Sequence, residues 1–195
     1  MGEESMRADG AQRSDGAPHA DGAQRADGRR PADARDAAVW DAAATVMDPE
    51  VPVLSIADLG VLRRAELLAD GTALVTITPT YSGCPAMDAI TADVHRALTT
   101  AGFERTRVEL TLSPAWTTDW MSDEGKEKLR EYGIAPPTGS APVGPKGPIP
   151  VSLSVPCPRC RSLRTRELSR FASTACKALY QCSDCHEPFD YFKVH

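Results

Sequence analysis

Cys157-Pro158-Arg159-Cys160 and Cys182-Ser183-Asp184-Cys185 are two CxxC pairs separated by 21 residues, and their reading decides the fold of the C-terminal part of this chain. Each pair sits on a turn short enough to aim two sulfurs at one point. The β-like runs between them, Thr165–Phe171 and Ala175–Gln181, predict a hairpin that brings the two turns together. The spacing is slightly longer than usual for paired zinc knuckles but within what a hairpin tolerates. Four sulfurs in a tetrahedron leave no open coordination position, which is the preference of structural rather than catalytic zinc. A piece of about 40 residues is near the lower limit for folding on its core alone, whereas structural zinc contributes roughly 10–16 kcal/mol. Three readings of the spacing stay open: a zinc ribbon, an iron–sulfur site on the same thiolates, and a thiol–disulfide pair. Cys176, between the pairs, reads as a small strand residue with a redox role as the alternative. His186 reads as an exposed turn residue, and His195 carries no stronger signal.

Upstream of this ribbon, from 156 to 195, lies a stretch from 135 to 155 whose part up to Pro150 carries six prolines and three glycines and predicts a linker. Residues 36–134 predict a separate small domain. Val39, Trp40, Ala43, Val46 and Met47 share one side of a helix expected over Asp36–Met47, with Asp36 as its cap. Leu62–Leu68 and Thr72–Thr78 flank Asp70-Gly71, a dipeptide that tolerates positive φ and so suits a tight hairpin. Met87, Ile90, Val94 and Leu98 form the stripe of a second helix over Pro85–Ala101, stopped by Gly102. Val108, Leu110 and Leu112 alternate with polar residues, as in a strand with one wet face. A short charged helix ending near Tyr132-Gly133 follows, with Glu124 and Lys128 at the favourable offset. The predicted class is α+β: an α-β-β-α-β domain, a short helix, a Pro/Gly linker and a ribbon.

Composition narrows the function. Residues 1–35 repeat Ala-Asp-Gly or Ser-Asp-Gly at six-residue intervals and hold no aromatic residue, so a disordered tail is expected. No apolar run reaches the ~18 residues that cross a bilayer, and no secretory signal is recognisable, so the expected location is cytoplasmic. In that compartment six cysteines read as metal ligands or reactive groups rather than a disulfide frame. Residues 36–155 carry nine bases against sixteen acids, which argues against general binding to a phosphate backbone. The ribbon, with seven bases against four acids, keeps open a nucleic-acid-binding or regulatory alternative.

Cys84 stands in Pro79-Thr80-Tyr81-Ser82-Gly83-Cys84-Pro85, just before a predicted helix whose free N–H groups would favour a thiolate. Spacing alone favours the plainer reading of a small buried side chain. Asp48-Pro49-Glu50 reads as a solvated turn, or as two carboxylates able to assist transient metal binding. The chain lacks a GxGxxG loop and the Glu-x-x-His pairs of a diiron bundle.

Over roughly residues 36–195 the sequence resembles the D-subunit family of phenylacetyl-CoA epoxidase (phenylacetate-CoA oxygenase) systems. The resemblance rests on the run from Asp48 to Gly60, on Pro79–Pro85, on Pro114–Trp120, on Ser173–Cys182 and on Glu187–Phe192. Ala172 stands where relatives tend to have Gly and Val194 where they often have Cys; neither touches the four proposed ligands. The first domain is similar to the small α+β domain of iron–sulfur maturation factors. That resemblance implies a function for Cys84, with Asp48 and Glu50 beside it, in passing iron or a cluster, and so reverses the reading from spacing. It further implies an accessory, non-enzymatic factor with structural zinc on Cys157, Cys160, Cys182 and Cys185. The implied partners are the oxygenase and reductase subunits of the epoxidase system, with a stoichiometric non-catalytic subunit as an alternative.

Overall fold

The computed structural model describes residues 29–81, 83–139 and 154–194. The repeat up to residue 28, most of the Pro/Gly linker and His195 lie outside the described residues. Helix α1 spans Ala34–Ala43, two residues earlier than expected and ending four residues sooner. Asp33 rather than Asp36 is its cap, accepting from the N–H groups of Arg35 and Asp36. Asp36, one turn inside, instead accepts from the Leu67 N–H at 2.8 Å and ties the helix to the first strand. The last residues of the expected tail are therefore ordered: α1 begins within them, and Arg30 grips Asp41 through two 2.6 Å contacts. Met47 falls beyond the helix and is exposed, while Val46 stays in the core.

Strands β1 (Leu62–Leu67) and β2 (Ala73–Ile77) pair antiparallel, with Leu67 opposite Ala73. Gly71 takes φ +82° at their turn, whereas Asp70 is not left-handed. The turn closes through Gly71 N–H to Leu68 O and Leu68 N–H to Thr72 O, both 2.9 Å. This is the three-residue hairpin with a bulged glycine, not the two-residue turn that needs positive φ twice. The Asp70 carboxylate serves by accepting from the Thr72 amide and hydroxyl.

Helix α2 (Met87–Thr100) buries Met87, Ile90, Val94 and Leu98 as its stripe requires, and returns the chain to β3 (Thr106–Leu110), parallel to β2. The expected alternation fails at β3's end. Leu110 and Leu112 are 58% and 66% exposed, although their inner neighbours Val75 and Ile77 are fully buried. β3 is the sheet's edge, and of its apolar residues only Val108 packs against the core.

The run from Asp58 to Gly60 seats everything that follows. Gly60 has φ +70°, and a methyl group there would stand 2.6 Å from Trp120 Cβ and 2.7 Å from the Trp120 carbonyl. Trp116 Nε1 donates to Leu59 O at 2.9 Å, and the Arg63 guanidinium lies 3.5 Å over the Trp120 ring. Asp58 accepts from the Ser55 amide and hydroxyl, from Ser122 Oγ and from Lys128 Nζ. Burial opposes its charge, but Lys128 and these donors outweigh burial and hold its carboxyl below the usual range. Lys128 also meets Glu124 at 2.9 Å, as expected for that offset. Helix α3 (Asp123–Tyr132) starts on the Ser122 cap and stops at left-handed Gly133.

The next two residues, Ile134–Ala135, form β4 rather than the start of a linker. β4 joins the edge of the ribbon sheet, ordered β4-β7-β6-β5, where β5 is Thr165–Ser169, β6 is Lys177–Cys182 and β7 is Pro188–Phe192. β7, unforeseen in the hairpin reading, pairs antiparallel with β6 and parallel with β4. The junction is also apolar. Phe192 is 1% exposed and sits in the core of the first domain, its ring 6.3 Å from Trp116. Burial of one such ring is worth roughly 1.5–3 kcal/mol, so the halves are packed together rather than strung on a linker. Among the described residues no helix is long and apolar enough to cross a membrane.

Candidate metal centre and the Cys84 cavity

Strand pairing delivers the four ribbon cysteines to one point. Cys157 Sγ lies 3.8 Å from Cys185 Sγ and Cys160 Sγ 3.5 Å from Cys182 Sγ. All four sulfurs fall within 4.8 Å of one another. These separations far exceed the ~2.05 Å of a disulfide. They match the edge of about 3.8 Å that a tetrahedron with metal–sulfur bonds of ~2.3 Å requires. Each pair is shaped by its own turn: Cys157 and Ser162 close one, Cys182 and Glu187 the other. Arg161 and His186, the residues immediately after the second cysteine of each pair, take φ near +60°. The turn reading of His186 thus acquires a specific geometry. Arg164 and Ser162 both engage Asp184, and Arg159 reaches Glu187 at 2.6 Å, lacing one turn to the other. The crowded sulfurs hold protons unevenly. The Ser162 N–H favours a Cys160 thiolate, but burial and the other three sulfurs prevail and push that thiol up to about 12.

The second group lies at the opposite end of β6. Cys84 follows the β2–α2 loop, its N–H bonded to Tyr81 O at 3.2 Å, and α2 starts three residues later without a side-chain cap. Asp48 begins the turn after α1 and uses Oδ1 to accept from the Glu50 and Val51 amides, both at 2.8 Å. The structure brings Asp48, Glu50 and Cys84 to one cavity, together with Thr80. The expected help from the helix start is present as an N–H of Ala86 directed at the thiol. Burial outweighs it, and the carboxylates of Glu50 and Asp48 add to burial, so the Cys84 thiol is raised rather than lowered. Burial likewise raises Asp48, against its two amide donors, and raises Glu50, with the Asp48 charge adding to the effect. Lys177, itself buried, works in the opposite sense on both acids.

Sequence reasoning missed that Cys176 lines this same cavity. It is 4% exposed and packs in the first domain's core, not the ribbon's. No adjacent side chains signal this placement, because Cys176 is brought to the cavity by the packing of the ribbon strands on the first domain.

Fold and sites together define a small α+β domain packed against a ribbon that gathers four cysteine sulfurs into a candidate metal site. Residues 36–110 match the family described as iron-sulfur cluster assembly protein, and residues 145–193 match the PaaD zinc beta ribbon domain. The Escherichia coli (strain K12) protein provisionally named as the D-subunit of 1,2-phenylacetyl-CoA epoxidase is 48% identical over 155 residues, which span 80% of this chain and 90% of that protein. The chain belongs to this epoxidase D-subunit family. An Fe-S protein maturation auxiliary factor of Porphyromonas gingivalis (strain ATCC BAA-308 / W83) is 40% identical over 86 residues, 44% of this chain and 81% of that protein. The Fe-S protein maturation auxiliary factor YitW of Bacillus subtilis (strain 168) is 34% identical over 92 residues, 47% of this chain and 89% of that protein.

Proposed function

We propose that this protein is a non-catalytic accessory factor that matures or maintains the metal centres of a phenylacetyl-CoA epoxidase, passing iron through Cys84. The observation that carries this reading is the meeting of Cys84 with Asp48 and Glu50 in one cavity. It occurs within the segment that matches iron–sulfur assembly proteins. A buried thiol flanked by two carboxylates is poorly ionised without a cation and strongly ionised with one, which suits reversible loading. The ribbon quartet takes the other role. Its closed tetrahedron fits zinc held permanently, with no position left for substrate. The ribbon thereby fixes β6 and β7 against the first domain.

Co-expression of the oxygenase and reductase components with and without this chain tests the proposal. Iron content and activity of the purified components should fall without it, and fall equally with a Cys84→Ser variant that still folds and holds zinc. Full iron content with the Cys84→Ser variant would remove the proposed role. If the chain stays with the active complex in fixed ratio, it acts as a resident subunit as well as a loader.

A further inference from the structure

The cavity beside Cys84 is built from both halves of the protein. The first domain supplies Asp48, Glu50, Thr80 and Cys84, and the ribbon supplies Cys176 and Phe192. Its volume is about 10 Å³, at the lower limit for holding one water molecule. Cys176 is pinned there by its backbone, since Lys193 N–H donates to its carbonyl at 3.0 Å, and by Thr174 Oγ1, 3.0 Å from its sulfur. It stands one residue before β6, and Cys182 ends that strand. Six residues of extended chain span about 20 Å, so a single strand carries one sulfur to each of the two sites.

A core position needs only an apolar side chain of the right size. Placing a second thiol beside two carboxylates is a poor choice for packing alone. Burial raises Cys176 first, and the Glu50 and Asp48 charges raise it further, as they do Cys84. Lys177 acts on Asp48, Glu50 and Cys176 but not on Cys84, and its ammonium also lies 3.5 Å from Asp190, so one shared cation faces a cavity lined by four groups that can each become anionic. A divalent cation would reverse the electrostatics of all four at once. Two thiolates with one or two carboxylates form a mixed soft and hard donor set, suited to a first-row ion such as Fe(II).

We propose that Cys176 is the second thiolate of the Cys84 site, so that one sulfur from each half clamps a single divalent iron ion, completed by Asp48 or Glu50. The inference rests on the reading of Cys84 given above and adds the ligand, the nuclearity and the role of the ribbon. Loading releases the two thiol protons to solvent and moves no electrons. Among the described residues only the ribbon quartet has its donor atoms within 4.8 Å of one another, so loading draws the Cys84 and Cys176 side chains inward. A cavity of this size takes one ion and not a cluster of irons and sulfides, which would require the ribbon to withdraw.

Anaerobic titration of the zinc-saturated full-length protein with Co(II) tests this directly. The thiolate-to-cobalt charge-transfer band grows with the number of sulfur ligands, and the retained zinc keeps the ribbon out of the signal. Wild-type protein should bind one Co(II) with two-thiolate intensity. Cys176→Ser and Cys84→Ser should each halve the band and weaken binding at least tenfold, with zinc content unchanged. If Cys176→Ser keeps the wild-type band and affinity while Cys84→Ser loses them, Cys176 is no ligand and the proposal falls, leaving the role of Cys84 intact. If wild-type protein and Cys84→Ser alike bind no second ion, both readings fall.

Discussion

Gly60→Ala isolates the contact that seats the Trp116–Trp120 segment, whose Trp116 ring lies beside Phe192 of the ribbon. Two costs apply at this position. A left-handed backbone costs an L-residue roughly 1–2 kcal/mol. Gly60 has φ +70°, and its new methyl group would meet Trp120 Cβ at 2.6 Å and the Trp120 carbonyl at 2.7 Å. The obstacle is backbone and Cβ, not a flexible tip, so relief means shifting the Trp116–Trp120 segment. Overpacking of this kind adds roughly 1–3 kcal/mol, for a total of about 2–5 kcal/mol. Gly102→Ala is the matched control: its φ is +93° but nothing lies within 4 Å of the added carbon. It should lose only the backbone part. In urea unfolding of zinc-saturated protein, with a slope of roughly 2 kcal/mol/M, Gly60→Ala should lower the midpoint by about 1–2.5 M and Gly102→Ala by about 0.5–1 M. Equal losses for the two variants would show that Trp120 is not held against Gly60 and refute the reasoning.

Removing zinc with a chelator should unfold the ribbon and also destabilise the first domain by several kcal/mol, because Phe192 and Cys176 leave its core. A first-domain transition unmoved by zinc removal would contradict that coupling. Cys84 in zinc-loaded protein should resist alkylation at neutral pH and react only as the pH rises past the ordinary thiol range, since burial, then Glu50 and Asp48, raise its pKa. Asp48→Asn combined with Glu50→Gln lowers that pKa, burial alone remaining, and should speed alkylation at neutral pH several-fold. An unchanged rate would mean that the carboxylates do not act on the thiol.

Much of this architecture was legible because its signals are local. The two CxxC turns, the Asp70-Gly71 hairpin and the α2 stripe each follow from a few adjacent side chains, and the structure realises all three. The misplacements arise where neighbouring residues offer equal chemistry. Asp33 and Asp36 can both cap a helix, and the choice is made by Leu67, whose amide claims Asp36 across 31 residues. Leu110 and Leu112 carry a strand's alternation, yet alternation cannot reveal that the strand lies at an edge. Ala135 reads as linker because prolines follow it, whereas its partner Tyr191 is supplied from the far end of the chain. The same distance hid the candidate site. Asp48, Glu50 and Cys84 could be grouped as a metal-binding possibility from nearby segments, but Cys176 reaches them only through the ribbon's third strand and the packing of Phe192.

The most direct measurement follows iron from this protein, loaded anaerobically with Fe(II), into the purified metal-depleted oxygenase and reductase components. Wild-type protein should transfer its iron and restore the components' metal content while keeping its own zinc, and Cys84→Ser should transfer none. Iron uptake by the components at the same rate with the variant, or with free Fe(II) alone, would contradict the account.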